Sequence, residues 1–298
     1  MDAQAVYVVA RCVDYFGMSL FFGGLFFVAV LWPGGVRAPG TRKVIAVGWV
    51  LGLLGTVAGI GLQGAWAAQR PAGDFLDLDL IREVLDGQFG RIWVSKALLW
   101  VLAGVVLADL LRRGENAARS WSWRIGAGAI MLGVLRVTGM TGHAVESTRP
   151  LLSQVADFAH LAGICAWIGG LAVLLFGVLS SRDPDVLALV VPRFSKLAMG
   201  SVLLLILAGL VLAWQTVGTL ERLFGTEYGR ILLIKLAVLA VVLLFAQVSK
   251  FWVSKRLDAA VSSGATVRPF VYSVAAENAL VILVLLAASF LVTASPGR

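Results

Sequence analysis

The sequence predicts an all-α, polytopic membrane protein of eight transmembrane helices, built as two parallel four-helix repeats with both termini outside. Three observations carry that prediction. Hydrophobic residues make up 59% of the 298 residues and charged residues only 14%, with a mean hydropathy of +0.90, whereas soluble domains are roughly half apolar and a quarter charged. Eight apolar stretches each reach the ~20 residues that a helix needs to cross the hydrocarbon core. Charges also sort by sign between alternate connections, as positive-inside loops do. The net charge of +8 therefore marks cytoplasmic loops beside lipid, and nucleic acid is not an expected partner.

The first span, 5–32, has no basic segment and no small-residue cleavage site ahead of its apolar run, so it reads as a retained helix and not a signal peptide. Along it Arg11, Asp14, Tyr15 and Met18 form one stripe, with Cys12 beside them. The second span, 44–69, places Gly48, Gly52, Gly55 and Gly59 on one face, which permits close helix packing. Residues 74–88 follow, acidic through Asp74, Asp77, Asp79, Glu83 and Asp86. There Phe75, Leu78, Ile81 and Leu85 recur at helical spacing and predict an amphipathic helix on the outer surface, serving as a lid or a docking face.

The third span, 89–111, opens with Phe89-Gly90-Arg91-Ile92 and carries Lys96, and the fourth, 123–142, aligns Arg136 and Met140 with His143. The fifth, 154–179, holds Asp157, His160, Cys165 and Trp167. The sixth covers 196–219. The seventh, 229–250, opens with Tyr228-Gly229-Arg230-Ile231 and carries Lys235, and the eighth, 271–294, contains Glu277 near its inner end.

Inside connections carry Arg37, Arg42 and Lys43; Arg112, Arg113, Arg119 and Arg124; Arg182, Arg193 and Lys196; and Lys250, Lys255, Arg256 and Arg268. With the acidic 70–88 segment on the other side, both termini are expected in the periplasm of a bacterial inner membrane. Most tryptophans fall at interfacial levels, but Trp100 and Trp167 fit neither belt and are expected deeper.

Two echoes predict the repeat. The helix openings at 89–92 and 228–231 are offset by 139 residues, and Gly23-Gly24-Leu25 and Gly169-Gly170-Leu171 by 146, which divides the chain into 1–152 and 153–298. Parallel repeats of this kind place sites at their interface. Nine residues before each Gly-Gly pair stand Asp14 and His160, an acid and an imidazole at equivalent depth that would face each other across the pseudo-axis.

The chain has two histidines, His143 and His160, and both fall at the outer face. His160 lies roughly 9 Å below the start of its helix at 1.5 Å per residue, and an ionisable group inside a span reads as functional. With His143, Met140, Asp14, Met18 and Cys165 it forms a candidate metal set. Thioether and thiolate favour Cu(I), imidazole suits either copper state, and carboxylate favours harder ions. The methionines read equally as core filler. Arg11, Asp157, Arg136 and Lys96 form a candidate ion network, whose plainer reading is structural, with Lys96 balancing the acids or snorkelling outward. Glu277 is a candidate inner relay.

Several of these stretches resemble the CopD copper-resistance family: Thr141-Gly142-His143-Ala144, His160 with Trp167 and Gly169-Gly170-Leu171, Arg193-Phe194-Ser195, Gly225-Thr226-Glu227-Tyr228-Gly229-Arg230 with Lys235, and the last helix with Glu277 before Pro296. The resemblance covers most of the chain and is most specific over 193–250, although Ser249-Lys250 stands where the family would have Asn-Arg. It implies an inner-membrane copper transport protein that takes the ion from periplasm to cytoplasm with a periplasmic carrier of the CopC type. No Gly-x4-Gly-Lys-Ser/Thr or Asp-Lys-Thr-Gly motif is present, so the chain is expected to be no enzyme and no ATP-driven pump. The alternatives are a b-type haem held by His143 and His160 as axial ligands, and a non-transporting copper sensor or assembly partner.

Overall fold

A computed structural model describes residues 2–87, 90–140, 149–181, 183–226, 229–230, 232–234, 236–241 and 243–244. The eighth expected span with Glu277, the 141–148 segment with His143, and Lys235 lie outside the described residues. Where described, the chain is helical, without strands. Its helices are α1 (Ala3–Leu31), α2 (Pro39–Ala67), α3 (Leu78–Asp86), α4 (Gly90–Arg113), α5 (Glu115–Arg119), α6 (Trp121–Gly139), α7 (Pro150–Ser181), α8 (Pro184–Val217) and α9 (Leu220–Gly225).

Among the described residues five helices are long and apolar enough to cross a membrane: α1, α2, α4, α7 and α8. The fourth expected span is present as α6, but its 19 residues include Arg124 and Arg136, and it falls outside those five. The sixth expected span begins earlier than 196. The Asp183 side chain accepts from the backbone N–H of Asp185 at 3.0 Å and Pro184 occupies the first turn, a standard helix start. Arg193 and Lys196, expected in a basic connection, are consequently helical, and Arg193 Nη1 donates to the Leu31 carbonyl at 3.0 Å.

Helices α1 and α7 make the centre of the bundle. Two-thirds (67%) of the apolar stretch of each is buried, against 17% for α8. The two cross where their Gly-Gly pairs meet: a Cβ added to Gly169 would lie 2.7 Å from Gly23 Cα, so only glycine allows the backbones to come so close. Both helices depart from α geometry near this crossing, through π turns at Phe27–Leu31 in α1 and at Cys165–Gly169 and Leu174–Val178 in α7.

The α2 glycine face packs on α1. A Cβ on Gly55 would lie 2.7 Å from the Asp14 backbone nitrogen, and one on Gly48 2.8 Å from Leu20 Cβ. As expected, Trp100 and Trp167 lie deep. The Trp100 ring stands 5.6 Å from both Phe21 and Phe22.

One end of the bundle is basic. There Gly114 (φ 59°) turns the chain from α4 into α5, a backbone angle that favours glycine, and Glu115 receives Arg37 at 2.8 Å and Arg119 at 2.5 Å. The other end is acidic and carries α3. Residues 74–88 are not one helix: a 3₁₀ turn over Ala72–Leu76 comes first, and the Asp77 side chain then caps α3 by accepting from Asp79 N at 2.9 Å. That break shifts the apolar face. Leu80 and Val84 pack against Gly64 of α2, whereas Leu78, expected on the packed face, is 67% exposed.

Filling the crossing tests its role. Gly169→Leu is expected to lower stability by about 1–3 kcal/mol through overpacking, while Gly126→Leu, at a site with nothing within 4 Å of an added Cβ, should stay within about 0.5 kcal/mol of the parent. Unfolding of the purified protein in detergent measures both.

Candidate functional site

Below the acidic end, α1 presents Asp14 to α2 and α4. Its Oδ1 accepts from Thr56 Oγ1 at 3.1 Å, and its Oδ2 is ion-paired with Lys96 Nζ. Both charged residues are only 4% exposed. A carboxylate inside the hydrocarbon region needs such a partner, and Lys96 fills the balancing role rather than snorkelling outward. The ammonium also lies 5.9 Å from the Trp93 ring centroid, and Trp93 Nε1 donates to Gln63 Oε1 at 2.6 Å.

One turn deeper, Met18 is fully buried at the meeting of α1, α6 and α7. Thr138 Oγ1 approaches its sulfur at 3.9 Å, and Cys165 Sγ lies 3.9 Å from its carbonyl oxygen. The layer of Phe21, Phe22 and Trp100 closes the region toward the basic end. Soft donors and the ion pair thus share the acidic-end half of the bundle, above an aromatic floor.

The remaining members of the expected ion network take separate partners. Arg11 Nη2 donates to Tyr15 OH at 3.0 Å, with its guanidinium over the Tyr7 and Tyr15 rings. Arg136 Nη2 donates to Gln154 Oε1 at 2.9 Å. The Asp157 carboxylate fits against Gly139, where a Cβ would come within 2.5 Å of Oδ2, beside the Met140 C-cap of α6. Among the described residues neither arginine is ion-paired with a carboxylate within 4.0 Å.

His160 lies on the far side of α7. A Cβ on Gly209 of α8 would meet the ring at 3.9 Å, and the imidazole faces the Leu205 backbone of the same helix, while its buried Nδ1 has no partner in hydrogen-bond geometry among the described residues. Asp14 is engaged by α2 and α4 while His160 rests on α8, so the two do not face each other as expected. No group of three or more His, Cys, Asp or Glu is close enough to hold a metal among the described residues, which do not include His143. Met140 is 37% exposed at the mouth of that segment.

Thr56, Trp93, Thr138 and Gln154 escaped the sequence reading. The signal was there for two of them: Thr56 is a hydroxyl inside the α2 glycine face, and Trp93 stands one turn before Lys96.

Two family profiles match the chain: Copper resistance protein D-like, N-terminal domain, over residues 1–151, and Copper resistance protein D over residues 188–291. The chain belongs to the copper resistance protein D family. Among its relatives, Copper transport protein CutJ of Bacillus subtilis (strain 168) is 29% identical over 244 residues, covering 76% of this chain and 42% of the relative. The chain thus spans about two-fifths of that relative's length. Copper resistance protein D of Pseudomonas syringae pv. tomato is 26% identical over 304 residues, covering 97% of this chain and 96% of the relative. No solved structure matches.

Breaking the buried pair has a measurable consequence. Asp14→Asn leaves an ammonium without its counter-charge and should destabilise the protein by about 3–5 kcal/mol, most of it recovered when Lys96→Met is added, since apolar replacement of a whole buried pair is near neutral. Chemical unfolding of the single and double variants reads the difference.

Proposed function

We propose that this protein carries copper across the bacterial inner membrane, from periplasm to cytoplasm, with the acidic end and both termini in the periplasm. The observation that carries the reading is the His160 Nδ1, a soft nitrogen buried within a span and, among the described residues, without a hydrogen-bond partner. A buried polar atom without a partner is costly, and a copper ion is a partner that imidazole accepts in either oxidation state.

In this reading His160 loads the ion together with His143 and Met140. Met18 and Cys165 offer soft sulfur deeper in the bundle, and Asp14 offers charge; Glu277 relays the ion near the cytoplasmic side. Membrane family relatives named for copper resistance and copper transport support the assignment. An inside-negative potential of 100 mV supplies about 2.3 kcal/mol per charge, so inward movement needs neither ATP nor a catalysed reaction.

The eight-span, two-repeat plan belongs to the same proposal. One glycine of each echoing pair, Gly23 and Gly169, touches at the α1–α7 crossing, and a π turn follows in each helix. The halves would rock about that contact to alternate access. A periplasmic copper carrier of the CopC type would dock on the acidic face of α3.

Two measurements test this. In proteoliposomes His160→Ala, and separately His143→Ala, should lower copper uptake at least about tenfold, a loss of 1.4 kcal/mol or more in ligation; uptake equal to the parent in both would remove the transport site. A Soret band in the purified protein that disappears in His160→Ala would instead establish the haem alternative. For the partner, Asp79→Lys with Glu83→Lys should weaken carrier binding and flatten its salt dependence, measured by titration at two ionic strengths.

A further inference from the structure

Asp14 and Lys96 are the charged side chains that are buried among the described residues. Stability does not account for them, since apolar residues of the same volume would serve as well or better. We propose that Lys96 is a tethered, displaceable counter-ion that keeps Asp14 neutralised until a monovalent metal cation takes its place, so that this station selects Cu(I) over divalent ions. The proposal rests on the transport reading above.

The two partners differ in freedom. Asp14 is fixed: Thr56 holds Oδ1 at 3.1 Å, and the close approach of Gly55 clamps its backbone against α2. Lys96 reaches Oδ2 on a flexible four-carbon stem from α4, with three donors and no rigid fork. It also has somewhere to go. One turn toward the acidic end is the Trp93 ring, whose centroid is already 5.9 Å from Nζ and whose indole is oriented by Gln63. An aromatic face holds an ammonium well where water is scarce. In the other direction Phe21, Phe22 and Trp100 block any retreat.

Charge then decides which ion is accepted. Exchange of one ammonium for one monovalent ion leaves the carboxylate compensated as before, and Met18, one turn below on the same helix, adds a thioether that favours Cu(I) or Ag(I). The displaced ammonium stays tethered at the Trp93 face as one surplus positive charge, and a divalent ion would add a second to the same low-dielectric site, where each uncompensated charge is strongly disfavoured. No bond is made or broken beyond the ionic contacts.

Lys96→Arg separates displacement from a structural role. Arginine preserves the charge and pairs with a carboxylate through two parallel hydrogen bonds, so a merely structural pair would be kept or strengthened, whereas a counter-ion that must leave would be held in place. With the full chain in liposomes and Ag(I) as the redox-stable monovalent probe, Lys96→Arg is expected to fold as the parent does and to take up Ag(I) about tenfold more slowly. Asp14→Asn with Lys96→Met, which removes both charges, should lower the ratio of Ag(I) to Zn(II) uptake by about tenfold. Parental Ag(I) uptake by folded Lys96→Arg, or an unchanged Ag(I)-to-Zn(II) ratio in the double variant, overturns the proposal. If His160→Ala abolishes uptake while both of these match the parent, the transport reading stands and the counter-ion role falls; if the parent itself moves no metal, both fall.

Discussion

The contact between Gly23 of α1 and Gly169 of α7 fixes the distance on which the rest of the bundle is built. With no side chain on either residue the two backbones meet, and the helices that carry them are the most buried of the five membrane-length helices among the described residues. Lipid offers no hydrophobic drive for helices to associate, so close van der Waals approach between small residues has to supply it. The α2 glycines repeat the device one layer out, pressing Gly48 and Gly55 onto Leu20 and Asp14.

Tight packing at the centre explains why polar groups collect where they do. Because α2 sits so close, Asp14 cannot reach lipid headgroups and is confined to partners on α2 and α4, which supply Thr56 and Lys96. Because α7 crosses α1 at Gly169, the residue one turn earlier, Cys165, comes against the Met18 carbonyl. His160, further up α7, is turned toward α8 and its Gly209. The result is two separate polar faces on the same pair of helices.

Much of this was legible in the sequence, and the failures have physical causes. Apolar runs placed α1, α2, α4, α6 and α7, because twenty apolar residues leave a chain in lipid few alternatives to a helix. The start of α8 was hidden because Pro192, Arg193 and Lys196 interrupt the apolar run in its third and fourth turns; the helix start is set by the Asp183 cap, and Arg193 is held by its bond to α1. The α3 face was misread because a 3₁₀ turn before Asp77 changes the register. Lys96 as the balance for a buried acid was readable, since few cations lie at that depth. The pairing of Asp14 with His160 was not, because equivalent positions in two halves share depth but not direction. An equal count of residues before a Gly-Gly pair fixes depth along a helix and leaves direction open, and Asp14 turns toward α2 and α4 while His160 turns toward α8.

Phe21, Phe22 and Trp100 pack as one buried aromatic layer below the ion pair. A bare cation placed among Phe21, Phe22 and Trp100 would lose hydration worth several kcal/mol after relaxation, more than the ~2.3 kcal/mol that a 100 mV potential returns per charge. The potential alone therefore does not carry an ion past this floor, and in the proposed transport the floor must open. Its pieces are held unequally. Phe21 and Phe22 belong to α1, locked at the glycine crossing, while Trp100 belongs to α4, with 28% of its apolar stretch buried against 67% for α1. The same α4 carries Lys96 one turn above. Movement of the less tightly held helix thus shifts the floor and the counter-ion together, whereas movement of α1 would first have to separate two backbones in contact.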